Sequence, residues 1–442
     1  MLNYLSKKAL NFKTKIGYIQ NILYVYLSTI VRFTRARFFS PPKTKFHGNK
    51  ILMLTISQID VDPRIHKMAH SLAKAGFGVD VMCYSENMNT PGVIIEEVSV
   101  GFRLMRVPRK GLFTRSFNWI INLMIQPEFY EAGSKTKYDY VHVNDLTTLL
   151  TGWMLARIHS TPLIYDAHEM WSENVEWDGK AYVSMSERTR KVVYYLEKFL
   201  VAYVDIIISV SQSIVDEFER RYHLVKKPLL IANFPSLTLL DTMDAGASSI
   251  REICSLTDKH FITIYLGAVN ELRNIENAII AHRFLPEHCV FVIRGISVEY
   301  FQKKYETMAE EMGIGHRIFC VPPVEREKIL SGMIGADCGY LMSPNMCKNF
   351  YWSYPNKFFE YMLAGLPVLA SNFPDVSAHI EKERCGMVCD PNSPEEIASA
   401  ILWLYEHPDE ARAMGERGRV GVLSEYNWEA AIVKLIEAYE RL

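Results

Sequence analysis

Asn356, Lys357 and Glu360 stand within about one helical turn, directly after Pro355. Pro355 holds Tyr354 extended and stops any helix from running through it. The Asn356 side chain suits the cap of the helix that follows. Phe358, Phe359, Met362 and Leu363 recur at helical spacing and turn one face to a core. Gly365 ends the helix and Pro367 bars its continuation. The loop before Asn356 therefore presents N–H groups and a partial positive charge, which suit an anion, most often a phosphate. Lys357 lies beside that place. Glu360 either complements the helix N-terminus or accepts from two neighbouring hydroxyls of a ribose.

Two further loops of the second half carry glycine and arginine. In 267–274, Gly267 lets backbone approach a ligand and Arg273 offers a bidentate clamp for phosphate, although a plain surface turn fits equally. Arg294 precedes Gly295 at a strand end, as a ligand contact or an ion-pair partner.

In the first half, His142 and Asp145 close one apolar run, and Asp166-Ala167-His168-Glu169 closes another. Polar side chains at strand ends beside a cleft suit a sugar or acceptor site. Asp145 serves equally as a helix cap. His168 is aimed out of a buried strand. Arg64 and His66 begin a helix that faces the same cleft. Asp60 and Asp62 have the spacing of a metal-binding pair, but Pro63 makes Asp62 a helix cap, and no metal is assigned.

These residues need positioning elements. Strands are predicted over 51–56, 79–83, 103–107, 140–143, 163–166 and 206–210, with helices over 63–75, 146–158, 187–204 and 212–222. Such alternation makes a parallel, doubly wound sheet. A last strand over 229–235 leads to a crossover, and the small polar segment 241–249 separates two domains. A second alternation follows, with strands over 261–266, 290–294, 317–321, 337–342, 368–371 and 387–389 and helices over 275–284, 300–312, 325–334, 356–364 and 394–405. The expected fold is α/β, two facing Rossmann-like doubly wound parallel-sheet domains. The boundaries are an arm at 1–46, a first domain at 47–238, a second at 239–423, and a final helix at 424–442. Ligands bind beyond the carboxyl ends of such strands.

The 442 residues exceed one ordinary core, and 49% hydrophobic content with 12% aromatic residues describes a globular chain. The eight cysteines are scattered, and Cys385 and Cys389 have no histidine nearby to complete a zinc set. Free thiols in a reducing compartment follow. Residues 1–50 hold ten Lys or Arg and no acid, which leaves 39 basic against 50 acidic residues in the rest. The run 16–31 is uncharged but shorter than the ~20 residues a membrane span requires, and no small-residue cleavage site follows it. The arm reads either as an interfacial helix on an anionic membrane or as an arm packed on protein. No nucleic-acid partner is expected.

The stretch 356–368, NKFFEYMLAGLPV, resembles the signature of the retaining GT-B glycosyltransferases of family 4. Asp62-Pro63-Arg64, Tyr165-Asp166-Ala167-His168-Glu169, 267–275, 317–342 and Tyr426-Asn427-Trp428 resemble other segments of that family. The resemblance implies GT-B architecture and a nucleoside-diphosphate sugar as donor, with no cofactor and no metal. It implies that Glu360 holds the ribose, that Gly267, Arg273, Arg294, Asn356 and Lys357 bind the donor, and that His168 lies beside the donor sugar. Catalysis would then rest on His168, Arg273 and Lys357, and the acceptor side on Arg64, His66, Asp145 and Glu169. An earlier glutamate that contacts the sugar falls at Trp352, and an arginine of the phosphate pair falls at Ala268. With the basic arm, the expected acceptor is a bacterial lipid-linked or surface-polysaccharide precursor, and the protein is expected in the cytoplasm or peripherally on the inner face of the membrane. Two alternatives stay open: an epimerase on the same fold using Glu169 or Glu173, and a non-catalytic binding subunit.

Overall fold

A computed structural model of the chain describes residues 49–57, 62–85, 92–98, 101–108, 126–177, 182–243 and 247–442. The basic arm and Asp60 lie outside them. The first sheet has eight strands: β1 (Lys50–Leu54), β2 (Gly78–Tyr84), β3 (Ile94–Val98), β4 (Phe102–Val107), β5 (Tyr140–Asn144), β6 (Leu163–Ala167), β9 (Ile206–Ser209) and β10 (Leu229–Leu230). Between the last two pairs a small hairpin, β7 (Val175–Trp177) and β8 (Tyr182–Ser184), stands apart. The sheet order is β10-β9-β6-β5-β1-β2-β4-β3, parallel throughout except for β3 on β4. Ile51 to Leu54 are fully buried, the continuous apolar run of a strand covered on both faces. The exposed β3 edge carries Glu96, which pairs with Arg106 at 3.1 Å, and charge at an edge discourages pairing with other chains.

The second sheet is all parallel, in the order β13-β12-β11-β14-β15-β16. Its strands are β11 (Phe261–Leu266), β12 (Cys289–Arg294), β13 (Ile318–Val321), β14 (Cys338–Leu341), β15 (Val368–Ser371) and β16 (Gly386–Cys389). In each sheet the order doubles back beside the first strand, β1 or β11, so the clefts open at the carboxyl ends of these central strands.

The chain crosses between the domains twice. After β10 it runs extended through Asn233 and Phe234. It returns through the helix Trp428–Glu440, whose Trp428, Leu435 and Tyr439 pack into the first domain's core with β1 and β2. Trp428 N–H donates to Pro235 O at 2.9 Å and its indole to Ser71 Oγ at 2.9 Å, so the two crossings are tied together.

The structure departs from the elements expected of the sequence in several places. Only Leu229–Leu230 of the strand expected over 229–235 pairs with β9, and Pro235 leaves the rest as crossover. The helix expected over 325–334 divides into 3-10 turns at Arg326–Lys328 and Ser331–Met333. The β3 edge and the β7–β8 hairpin were not expected, because Ile94–Val98 lacks an alternating apolar pattern and Val175–Trp177, though it alternates, is only three residues long.

Candidate active site

The helix Asn356–Leu363 begins at the carboxyl edge of β14 and β15. Pro355 occupies its cap in extended conformation, and no side chain caps it. Asn356, expected as the cap, is instead the first helical residue. The fixed ring of Pro355 takes the cap position and leaves the helix N-terminus to whatever enters the cleft. Pro355, Asn356 and Arg273 line one wall of a cleft of about 540 Å³.

Gly267 lies at φ 140°, and a Cβ there would fall 2.0 Å from Cε of Lys357. A Cβ on Gly295 would fall 1.7 Å from the Gly267 carbonyl oxygen. The two glycine loops interlock, and Lys357 fills the space that the missing side chain leaves. Its ammonium lies 5.5 Å from the Tyr265 ring centre. Burial and Arg273 bring the Lys357 pKa down to about 8, against the pull of Glu360. Arg273 ends the turn Glu271–Arg273, and its Nε is buried without a protein partner. Arg294, also expected at the phosphates, goes elsewhere. Its Nε donates to Pro322 O at 3.1 Å and its Nη1 to Gly332 O at 3.3 Å, fastening the loop after β13.

Glu360 opens on an adjoining pocket of about 460 Å³, shared with His66, Lys67, Arg326 and Asn356. His66 rests edge-on against Phe102, with ring centres 5.4 Å apart.

Across the cleft, four charged residues form a chain. Arg64 donates to Asp166 twice, from Nε at 2.9 Å and Nη2 at 2.8 Å, and from Nη1 to Ile231 O at 2.8 Å. Its guanidinium is therefore committed to this buried pair. His168 Nε2 stands 3.2 Å from Asp166 Oδ2, and Nδ1 stands 3.5 Å from Asp145 Oδ2. Burial opposes protonation of His168, but Asp145 and Asp166 outweigh it and lift its pKa to about 9. Asp166 is likewise opposed by burial, yet Arg64 and His168 hold its carboxyl well below the usual range. Asp145 caps nothing. It starts its helix at φ 65° and turns its carboxylate to His168. Glu169 accepts from Asn174 Nδ2 at 2.6 Å, and burial with Asp145 lifts its pKa to about 7. His142 is not at the cleft but inside β5, with Nδ1 2.6 Å from the Tyr439 hydroxyl. Asp62 caps its helix, its Oδ1 accepting from Arg64 N at 3.1 Å.

A sequence model of Glycosyltransferase Family 4 matches residues 63–234, and one of Glycosyl transferases group 1 matches residues 248–421. Together they take in every strand of both sheets except β1 and most of the residues that line the cleft. The chain belongs to the family 4 glycosyltransferases. This family 4 glycosyltransferase is 22% identical over 390 residues to a D-inositol 3-phosphate glycosyltransferase of Xylanimonas cellulosilytica, covering 84% of this chain and 89% of the relative. Sucrose-phosphate synthase of Thermosynechococcus elongatus superposes with TM-score 0.69 at 20% identity, over 89% of this chain and 98% of that one. Anabaena HepE, in complex with UDP-glucose, superposes with TM-score 0.64 at 14% identity, over 89% of this chain and 100% of that one. The architecture is GT-B.

In this glycosyltransferase the loop between β14 and the helix Asn356–Leu363 reaches across to the first domain. Asn349 is buried there, accepting from Met170 N at 3.0 Å and donating to Met170 O at 2.9 Å. Trp352 packs on the first domain's core with Lys348 over its ring at 5.3 Å. Sequence reasoning missed Asn349, Lys67 and Arg326. Lys67 donates to Asn233 Oδ1 at 3.1 Å and Phe234 O at 2.6 Å. Burial, with Arg64 and Arg326, lowers its pKa to about 7 against Glu360 and Glu429. Its spacing of three from Arg64 was the available signal. Among the described residues no group of His, Cys, Asp and Glu is set to hold a metal ion, and no helix is long and apolar enough to cross a membrane.

Proposed function

We propose that the protein transfers a sugar from a nucleoside-diphosphate sugar to a hydroxyl acceptor, with retention at the anomeric carbon. The observation that carries this reading is the uncapped start of the helix Asn356–Leu363, facing the cleft beside the unpartnered Nε of Arg273. The helix N–H groups, Arg273 and Lys357 neutralise the diphosphate as the sugar leaves, so the charge needs no metal ion. Glu360 accepts from the ribose hydroxyls in the adjoining pocket. The complex of HepE with UDP-glucose supports a donor of this class.

His168 enters as an imidazolium. Fixed between Asp145 and Asp166, it places positive charge on the first-domain wall, where the diphosphate leaving group and sugar hydroxyls gather charge. Glu169 and Asn174 line the same wall and orient the acceptor hydroxyl, which attacks from the face the diphosphate leaves and passes its proton to the departing phosphate oxygen as the anomeric C–O bond to the diphosphate breaks. Closure of the two domains excludes water from this step. The acceptor is a lipid-linked or surface-polysaccharide precursor, a reading supported by the basic arm at 1–46, with the protein peripheral on the cytoplasmic face of the membrane.

Calorimetric titration with UDP-, GDP- and ADP-sugars, followed by NMR of the product's anomeric configuration, tests this. Binding and turnover of one donor with retention are expected, and loss of both in Glu360→Ala. A chain that binds no nucleotide sugar would sink the reading. Binding without turnover would favour a non-catalytic subunit, the alternative that Trp352 and Ala268 motivate. The epimerase alternative keeps only Glu169, because Glu173 is paired with Arg221 at 2.8 Å.

A further inference from the structure

The helix Gln212–Tyr222 of the first domain is capped from both domains. Its own cap residue, Ser211, accepts through Oγ from Ile214 N at 3.3 Å. The two amides before that one are taken by the second domain. Asp375 Oδ1 accepts from Gln212 N at 2.9 Å and from Ser213 N at 3.2 Å. Asp375 lies in the first turn of its own helix, Pro374–Glu383, which has no side-chain cap. One carboxylate therefore stands at the positive ends of two helices, one from each domain. Burial raises its pKa, and the Ser213 and Gln212 donors oppose that. Donors and acceptor come from the segments after β9 and β15, so the full cap exists only while the domains are together. Apart, two N–H groups of the helix would be left to water.

The far end of the same helix holds the wall that carries Glu169 and Asn174. Arg221, in its last turn, donates from Nη1 to Ser172 Oγ at 2.7 Å, and from Nη2 to Glu173 at 2.8 Å and Glu217 at 2.7 Å. Ser172 and Glu173 are buried and belong to the turn Trp171–Glu173, between Glu169 and Asn174. Asn349 grips that segment from the second domain at Met170. The second domain thus meets one connected unit twice, directly at Met170 and, by way of the helix and Arg221, at Asp375.

We propose that Asp375 is a positioning residue for the acceptor wall. By completing the cap as the domains meet, it fixes the helix Gln212–Tyr222 and, through Arg221, the segment that carries Glu169 and Asn174. The acceptor role of that wall rests on the function proposed above, whereas the link from Asp375 to the wall rests on these contacts alone.

Hydrogen exchange of the full chain, read by mass spectrometry, tests the link in Asp375→Ala and Asp375→Asn. In the alanine variant, exchange over 211–214 and over 169–174 should quicken roughly fivefold to tenfold, while 267–274 and 356–363 stay unchanged. Asparagine keeps an acceptor oxygen and should restore much of the protection. For the nucleotide sugar that binds, slow hydrolysis should fall several-fold in kcat with KM unchanged, because the second domain holds the donor. Faster exchange at 211–214 alone would overturn the proposal, since the cap would then not reach the wall. Equally faster exchange over all four segments would overturn it too, and leave Asp375 a general part of the fold's stability. A wild type that binds no nucleotide sugar would remove the donor reading, and the exchange pattern would still decide the link.

Discussion

The Asp145 carboxylate stands 3.5 Å from Nδ1 of His168, presented by a residue whose backbone lies in the left-handed region at φ 65°. Left-handed backbone is costly outside glycine, by about 1–3 kcal/mol, and survives where the surroundings fix it. Here it aims one carboxylate at a histidine that already faces Asp166 on its other nitrogen.

The folded pKa of His168 is about 9, above the 6.5 of an unrestrained histidine. The stability it contributes is fully present below the lower value and is lost as pH rises through about 9. The contribution is on the order of 3 kcal/mol. Urea unfolding of the wild type should therefore weaken across that window, and His168→Gln should flatten the curve. Transferase activity should decline on the same alkaline limb. Asp145→Asn should shift the histidine titration toward neutrality in NMR spectra.

Glu360→Gln should keep the fold and weaken donor binding. A carboxylate accepting two hydroxyls contributes about 1.5–3 kcal/mol for charged hydrogen bonds, so the dissociation constant should rise roughly tenfold to a hundredfold. Titration with the free nucleoside diphosphate and with the corresponding diphosphate lacking its nucleoside separates the effect. Only the former should depend on Glu360.

Gly267→Ala should impair the site and the fold together. The new methyl would enter the space held by Lys357 Cε, and φ 140° is strained for alanine. A loss of about 1–3 kcal/mol in thermal unfolding is expected, with activity falling further because Lys357 is displaced. Unchanged activity would show that Lys357 need not sit there.

Asn349→Asp should loosen the domains. Aspartate cannot donate to Met170 O and brings a negative charge against it, whereas Asn349→Ala removes both bonds neutrally. Activity should fall in the order wild type, alanine variant, aspartate variant. X-ray scattering should show a wider particle for the aspartate variant.

Several features of the molecule were legible in the residues because they depend on local rules. Asp62 before Pro63 announced a capped helix, and the apolar run at 51–54 announced a central parallel strand. Gly267 stood out because a glycine at a strand end marks close backbone approach. Arg64 and Arg294 show the limit. Both are arginines at strand or helix ends, and sequence gives no means of telling a ligand contact from a structural clamp. Their partners, Asp166 and the carbonyls of Pro322 and Gly332, are far off in the chain.

By itself the sequence determined two parallel-sheet domains, the helix that starts after Pro355 and the basic character of the arm, since periodicity, backbone restriction and charge act within a few residues of one another. Only the tertiary structure decided that His168 is held between two carboxylates, that Trp352 and Asn349 turn to the opposite domain, and that Asp375 of one domain caps a helix of the other. Those outcomes depend on which distant segments share a cleft or a surface. Burial and charge pairing there are properties of the assembled fold, and local periodicity carries no record of them.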